Sequence, residues 1–186
     1  TKSQGGVSVP VYQPVEYRAV IARIQEKVAA KGIKMGNCLT EETIMAFETK
    51  HNVRLPQAYR LFLQSVGDGC DHSGFPLNSL DQVKPGDLSH PFMMEEPWIW
   101  EEDDRDSDVI EEEMKSKVYP GNIELIDLGC CNCFHLIVAG PCQGEVWNFT
   151  DVGVQPCCER QDFLGWFELW LDDQEDTDWF KDYVYE

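Results

Sequence analysis

The residues of this sequence that are best suited to bind a metal ion are its clustered cysteines. Residues 130–133 read Cys-Cys-Asn-Cys, and two more cysteines are adjacent at Cys157 and Cys158. Four thiolates at one end of a sheet would suit tetrahedral zinc. Neither group has the usual C-x₂-C spacing, however, and the side chains of adjacent residues diverge in an extended chain. We therefore expect no metal and no cofactor, and we expect reduced cysteines that pack as small buried hydrophobic side chains.

His135 follows Cys133 by two residues, so a nucleophilic Cys/His pair has to be considered. Such a pair needs the imidazole close to the thiol and a third group that orients the ring. The spacing does not require this arrangement, and a structural histidine with a satisfied ring is the simpler interpretation. The sequence also lacks P-loop, GxGxxG and DxDxDG motifs. We expect no catalytic residues and no enzymatic activity.

Carboxylates are numerous and unevenly distributed in a chain whose formal net charge is −19. Residues 95–113 carry 11 acids and one base, and residues 159–186 carry 10 acids and two bases, whereas residues 1–64 have an excess of bases. Such a surface repels nucleic acid and anionic membranes and attracts basic partners. A solvated run does not supply the two fixed acids of a glycosidase cleft. Solubility alone is the alternative explanation of the charge.

Two tryptophans, Trp98 and Trp100, interrupt the first acidic run. An acidic segment with two indoles is not typical of a linker, so we expect one indole to pack on the sheet and the other to face a partner. Charge and position therefore predict a partner-binding surface. Its predicted residues are Trp98, Trp100, Glu101, Glu102, Asp103, Asp104, Asp106, Asp172 and Asp173.

The scaffold that must position these residues centres on three short apolar runs. They are Ile123–Leu128, Cys133–Val138 and Glu145–Phe149, separated by turns rich in Gly, Pro and Asn. Short runs with Ile, Val, Phe and Trp, punctuated in this way, predict an antiparallel meander. We take this meander as the central sheet of the protein.

Apolar residues at helical spacing predict three helices before the sheet. Pro14 suits the first position of a helix that ends at Gly32, Thr40 caps a second, and a third begins near Pro56. The Gly-rich residues 68–78 predict turns with either a short strand or a hairpin. The large aromatic residues at helix or strand spacing are expected to fill the core, namely Tyr59, Phe62, Trp147, Trp166, Phe167 and Trp170.

Helical patterns also occur later in the chain. Residues 162–172 predict an amphipathic helix whose acids lie on the face away from the core. Residues 108–117 predict a short polar helix capped by Asp108. A last short helix is predicted over residues 178–183.

Three pieces of the sequence resemble the SUKH superfamily. The first combines Ile-x-x-Phe at residues 44–47 with Leu-Pro-x-x-Tyr-x-x-Phe-Leu-x-x-x-Gly-x-Gly at residues 55–69. The second is Gly-x-Val-Trp at residues 144–147, and the third is Phe-x-x-Trp-Phe-x-x-Trp-Leu at residues 163–171. The resemblance covers about residues 40–172, and the Leu-Pro-x-x-Tyr-x-x-Phe-Leu motif is its most specific part.

This resemblance implies an α+β fold in which a mostly antiparallel sheet, with its meander at about residues 123–149, packs with N-terminal helices and a C-terminal amphipathic helix. We expect one such domain over residues 14–186, with an irregular lead-in at residues 1–13 and an irregular acidic segment at about residues 85–121. The resemblance implies no catalytic activity. The superfamily groups bacterial immunity proteins, many of them thought to neutralise secreted toxins by direct binding, with fungal regulators of cell-wall synthesis.

The function expected from charge and resemblance together is that of a cytoplasmic immunity protein bound to a basic toxin domain, for example a nuclease. The acids would cover the surface that such a toxin uses to bind phosphate. Neither nucleic acid nor a membrane is expected as a partner, and the N-terminal residues lack the apolar core of a signal peptide. An intracellular regulatory or scaffold protein on the same fold is the alternative, and an enzyme is the third and least favoured.

Overall fold

The computed structural model describes residues 11–157 and 160–172. The α-helices in these residues are α1 (Tyr17–Ala30), α2 (Glu41–His51), α3 (Gln57–Ser65), α4 (Ser107–Lys117) and α5 (Phe163–Leu171). The strands are β1 (Cys70–His72), β2 (Phe75–Leu77), β3 (Trp98–Ile99), β4 (Asn122–Asp127), β5 (Cys133–Ile137), β6 (Val146–Phe149) and β7 (Gly153–Pro156). The fold is α+β, as predicted.

The larger sheet has five antiparallel strands in the order β3-β7-β6-β5-β4. Strands β4, β5 and β6 form the predicted meander, which is confirmed. Two strands that were not predicted, β7 and β3, extend the sheet on the β6 side, so β3 and β4 are its edges. Strands β1 and β2 form a separate hairpin, which is one of the two arrangements predicted for the Gly-rich residues 68–78.

One face of the sheet, which we term the helix face, is covered by α1, α3 and α5. Strand residues such as Phe134, Leu136 and Val146 point towards these helices and are fully buried. The rings of Phe75 and Trp170 stack with centroids 4.0 Å apart. The predicted core aromatics are confirmed as buried: Tyr59, Phe62, Trp147, Trp166, Phe167 and Trp170.

The opposite face, which we term the loop face, is covered by residues 92–118. Phe92 and Trp147 are fully buried there and meet edge to face, with ring centroids 5.0 Å apart. Gly140 has a φ of +120°, and a Cβ at this position would collide with the backbone of Phe92. This close approach lets the irregular segment lie directly on the sheet.

The N-terminus of α2 follows the predicted capping chemistry, whereas that of α4 does not. The hydroxyl of Thr40 accepts a hydrogen bond from the backbone N–H of Thr43 at 3.2 Å, which caps α2. Pro14 begins a single 3-10 turn that leads into α1. The prediction for α4 is wrong at its first residue, because Asp106 and not Asp108 occupies the N-cap position, without a side-chain capping bond.

Helix α5 departs from the prediction of an outer acidic face. Every one of its residues from Phe163 to Leu171 is buried, and Glu168 is 0% exposed. The prediction failed because the positive side chains that accompany Glu168 belong to α1, more than 140 residues away in sequence. The helix predicted over residues 178–183 lies outside the described residues. Of the helices that the structure describes, none is long and apolar enough to cross a membrane.

Candidate partner-binding surface

Both tryptophans of the acidic run pack against the loop face. Trp98 pairs with Val154 across β3 and β7, and the indole of Trp100 lies edge to face with that of Trp98 at 5.7 Å between centroids. The Nε1–H of Trp98 donates to Asp103 Oδ2 at 3.1 Å, and that of Trp100 donates to the carbonyl oxygen of Asp151 at 2.8 Å. Both indoles are half-buried, and their contacts hold the acidic run against the β3 edge of the sheet.

Arg105 holds the acidic run in a fixed shape. Its guanidinium forms a bidentate contact with Asp103, with Nε–Oδ1 at 3.0 Å and Nη2–Oδ2 at 2.7 Å, and Nη1 lies 2.5 Å from Glu113 Oε2. The same group lies over the ring of Trp98, 5.8 Å from its centroid. The hydrogen bonds from Arg105 hold the pKa of Asp103 well below its usual range. Arg105 thus ties the run to α4.

Four of the exposed acids of this run lie within residues 101–106. They are Glu101, Glu102, Asp104 and Asp106, and we term them the acidic surface. Each is exposed, and none has an ion-pair partner among residues 11–157 and 160–172. Four uncompensated negative charges within six residues create a field that attracts cationic groups.

The other predicted acidic contact residues are not part of the acidic surface. Asp103 is largely covered, with its side chain 15% exposed, and its carboxylate is committed to Arg105. Asp172 ends α5 on the helix face, where its Oδ1 lies 2.5 Å from the Nζ of Lys27. The structure therefore does not bring Asp172 together with the acidic surface. Asp173 lies outside the described residues.

The carboxylate of Glu168, on the helix face, is buried and paired, in contrast to the acids of the acidic surface. It accepts hydrogen bonds from Arg23 (Nε–Oε2 2.6 Å), Lys27 (Nζ–Oε2 2.8 Å) and the hydroxyl of Tyr12 (2.5 Å to Oε1). Burial alone would raise the pKa of Glu168, but these three donors outweigh burial and lower it below its usual value. This cluster is structural, because no acceptor of the carboxylate is left for a ligand.

Asp162 is the second buried carboxylate of this region. Its Oδ1 accepts from the N–H of Gly165 at 2.8 Å and caps α5, and its Oδ2 accepts from the N–H of Tyr12 at 3.0 Å. Burial nevertheless raises the pKa of Asp162 to about 6, since the backbone donors offset only part of the desolvation. Tyr12, which falls within the expected lead-in, is itself buried.

A third group of polar residues lies on the loop face at β4 and β5. Glu124, Cys133 and His135 bring one ligand atom each within 4.8 Å of the others. The Nδ1 of His135 lies 2.8 Å from Asn122 Oδ1, and its ring stacks on that of Phe149 at 4.0 Å. A thiol, an imidazole and an orienting amide are thus close together, which spacing alone did not predict.

The electrostatics of this group oppose nucleophilic catalysis. Burial, together with the neighbouring carboxylates of Glu124 and Asp127, raises the pKa of the Cys133 thiol to about 12. Burial also lowers the pKa of His135 to about 3, so the ring is neutral. A reactive thiolate needs positive neighbours rather than carboxylates. The sequence signal that was available here is the i, i+2 spacing of Cys133 and His135, which places both on one face of a strand.

The cysteines divide into buried and exposed sets. Cys142 and Cys157 are buried, as expected for small hydrophobic side chains. The expectation is wrong for Cys38, Cys130 and Cys131, which are exposed free thiols. Among the described residues the two cysteine groups do not meet, because Cys157 lies in the helix-face core and Cys133 points to the loop face. Cys158 lies outside the described residues.

A cleft of about 770 Å³ opens beside α3. Its walls include Tyr12, Arg54, Pro56 and Gln143, and none of its lining residues is a tryptophan. The indoles therefore build the scaffold and do not line this cleft.

Comparison with known proteins gives one match. Residues 38–172 match the family model described as SMI1 / KNR4 family (SUKH-1). No curated protein and no solved structure matches the chain.

Proposed function

The chain belongs to the SMI1 / KNR4 family (SUKH-1), and from this premise we propose that it is a non-catalytic protein-binding module. Its partner is a basic protein, and the immunity role of the superfamily makes that partner a toxin domain such as a nuclease. The module is one domain over residues 14–186, and the acidic surface is where the partner docks.

The observation that carries the proposal is the contrast between fixed and free carboxylates in one short segment. Asp103 and Glu113 are used to hold the segment against Arg105, and both tryptophans fasten it to the sheet. Glu101, Glu102, Asp104 and Asp106 are left unpaired and exposed. A segment already ordered before binding loses little conformational entropy in the complex, so its charges are available for recognition.

Charge complementarity supplies the mechanism. A nuclease domain presents lysines and arginines to the phosphates of its substrate. The four carboxylates of the acidic surface accelerate encounter with such a domain and occupy the same cationic groups. Neutralisation by occlusion needs no chemistry from the binding protein.

A cytoplasmic location belongs to the proposal. Three exposed thiols, those of Cys38, Cys130 and Cys131, are free. Exposed free cysteines suit a reducing compartment, because oxidising compartments convert accessible thiols to disulfides.

The test uses the domain encoded at the C-terminal end of the adjacent reading frame. Association with the full chain is followed at several salt concentrations for the wild type and for the variant Glu101→Gln/Glu102→Gln/Asp104→Asn/Asp106→Asn. We expect the association rate constant of the variant to fall at least roughly tenfold at low salt, with a flatter salt dependence.

The matched control removes the same charge elsewhere, as Glu26→Gln/Glu42→Gln/Asp71→Asn/Asp81→Asn at exposed positions of α1, α2, β1 and the turn that follows the hairpin. We expect it to change the rate constant far less. Equal losses in both variants would reduce the effect to net charge and refute the docking surface. If the adjacent frame encodes no toxin and the same surface binds an ordinary cellular protein, the regulatory alternative is correct.

A further inference from the structure

We propose that Glu124, Cys133 and His135 form a Zn²⁺-binding site on the loop face, between the edge strand β4 and its neighbour β5. The site is separate from the acidic surface, which lies at the opposite, β3 edge of the same sheet. The inference does not depend on the identity of the partner protein.

The register of the two strands brings the three residues together. Glu124 of β4 is directly opposite His135 of β5, and Cys133 precedes His135 by two residues, so all three side chains leave the sheet on the same face. Their ligand atoms lie within 4.8 Å of one another. Bonds of 2.0–2.3 Å to a tetrahedral zinc ion would separate these atoms by about 3.3–3.8 Å. Zinc binding would therefore require the three ligand atoms to move closer together by side-chain rotation.

Asn122 contacts one ring nitrogen of His135 and leaves the other nitrogen available to a metal ion. The amide nitrogen of Asn122 donates to the carbonyl oxygens of Val118 at 2.8 Å and Pro120 at 2.9 Å, which directs its Oδ1 at His135. The Nδ1–H of His135 therefore donates to Oδ1 at 2.8 Å, and the free lone pair of the ring is on Nε2. A histidine ligand that donates its other N–H to a fixed oxygen is the usual arrangement in protein metal sites. Stacking on Phe149, with an interplanar angle of 6°, holds the ring plane.

A cation already occupies the vicinity of the carboxylate. The ammonium of Lys84 lies 3.1 Å from Glu124 Oε2, while the side chain of Lys84 is 73% exposed and that of Glu124 only 10% exposed. The lysine can therefore move into solvent, whereas the carboxylate stays in place. Zinc would replace the ammonium as the counter-charge of Glu124.

The donor set selects the class of metal. One nitrogen, one sulphur and one oxygen suit a borderline ion such as Zn²⁺, whereas Mg²⁺ and Ca²⁺ take oxygen ligands. Three protein ligands leave one position of a tetrahedral ion for water. Because β4 is an edge strand, a bound ion would fasten the end of the sheet.

The experiment measures binding of Zn²⁺, and of Co²⁺ as a spectroscopic probe, to the full chain after chelator treatment under reducing conditions. We expect one equivalent to bind, with a thiolate-to-cobalt charge-transfer band and the intense visible bands of a tetrahedral cobalt site. We expect Cys133→Ser and His135→Gln each to weaken zinc binding by at least roughly a hundredfold. Loss of a hydrogen bond to a metal ligand, without loss of the ligand itself, typically weakens metal binding by only about tenfold to a hundredfold.

Two further variants keep the test decisive if a ligand variant fails to fold. Lys84→Met changes an exposed side chain and removes the competing ammonium, so it should tighten zinc binding severalfold. Cys130→Ser/Cys131→Ser removes the nearby exposed thiols and should leave affinity and the cobalt spectrum unchanged. Loss of binding in this double variant, unchanged binding in Cys133→Ser, or no cobalt charge-transfer band in the wild type would each overturn the proposal.

Discussion

Glu168 on the helix face of the five-stranded sheet and the acidic surface on the loop face use carboxylates in opposite ways. On the helix face, Glu168 is completely buried and meets Arg23, Lys27 and Tyr12. On the loop face, Glu101 and its three companions are exposed and unmatched within the described chain. The same chemical group is therefore part of the scaffold on one face and available for recognition on the other. What distinguishes the two is whether cations from a distant segment reach the carboxylate.

Removal of the charge of Glu168 gives the strongest test of the structural role assigned to this carboxylate. Glu168→Gln leaves Arg23 and Lys27 facing a neutral group, and we expect the free energy of unfolding to fall by about 3–5 kcal/mol. Urea denaturation at neutral pH measures it. Glu26→Gln, on the exposed side of α1, serves as control and should stay within about 0.5 kcal/mol of the wild type. A similar, small effect for both variants would mean that the helix-face cluster contributes little.

The pH dependence of Asp162 gives the next largest effect. Because its pKa is about 6 in the folded protein and 3.8 in a model carboxyl, the folded state binds the proton more tightly. Its contribution to stability is therefore lost as pH rises from about 4 to about 6. We expect the free energy of unfolding of Asp162→Asn to rise by about 2 kcal/mol relative to that of the wild type between pH 4 and pH 7.

Denaturation at several pH values measures the difference between that variant and the wild type. The matched control is Thr40→Asn, which replaces the cap of α2 without removing a titrating group. Its difference from the wild type should stay constant over the same range. A constant difference for Asp162→Asn as well would show that the carboxyl is not perturbed by burial.

A smaller effect is expected at the tryptophans that fasten the acidic run. Trp100→Phe removes the N–H that donates to the carbonyl oxygen of Asp151, and we expect a loss of about 1 kcal/mol in unfolding free energy. Tyr119→Phe changes an exposed ring, half accessible to solvent, and should have no measurable effect. If Trp100→Phe also leaves the free energy of unfolding unchanged, the indole does not hold the segment in place.

The smallest stability effect should come from the acidic surface itself. Glu101→Gln/Glu102→Gln/Asp104→Asn/Asp106→Asn removes four exposed charges that have no partner in the described part of the chain. We expect thermal or urea unfolding to change by no more than about 0.5 kcal/mol. A large destabilisation would mean that these carboxylates are structural, like Glu168, and would remove the contrast between the faces.

Local patterns predicted most of the scaffold. The meander follows from short apolar runs between turn residues, and the α2 terminus follows from the Thr40 cap, because both signals lie within a few residues of their effect. Strand β3 has only two residues, and strand β7 reads Gly-Val-Gln-Pro, which lacks the apolar run that marks the meander strands. Local sequence therefore could not show that the sheet has five strands.

The candidate sites depend on contacts that local patterns do not encode. The burial of Glu168 requires cations from α1. The fixed conformation of the acidic run requires Arg105 to contact both Asp103 and Glu113. The approach of Glu124 to His135 depends on the register of β4 and β5. Composition did predict the acidic exterior, while the separation of paired from unpaired acids emerges only after folding.

Amide hydrogen exchange of the free chain and of its complex with the domain from the adjacent reading frame tests the central claim most directly. The account predicts slower exchange on binding over residues 98–108, with α1 and α2 unaffected. Protection confined to α1 and α2, with residues 98–108 exchanging as in the free chain, would contradict it.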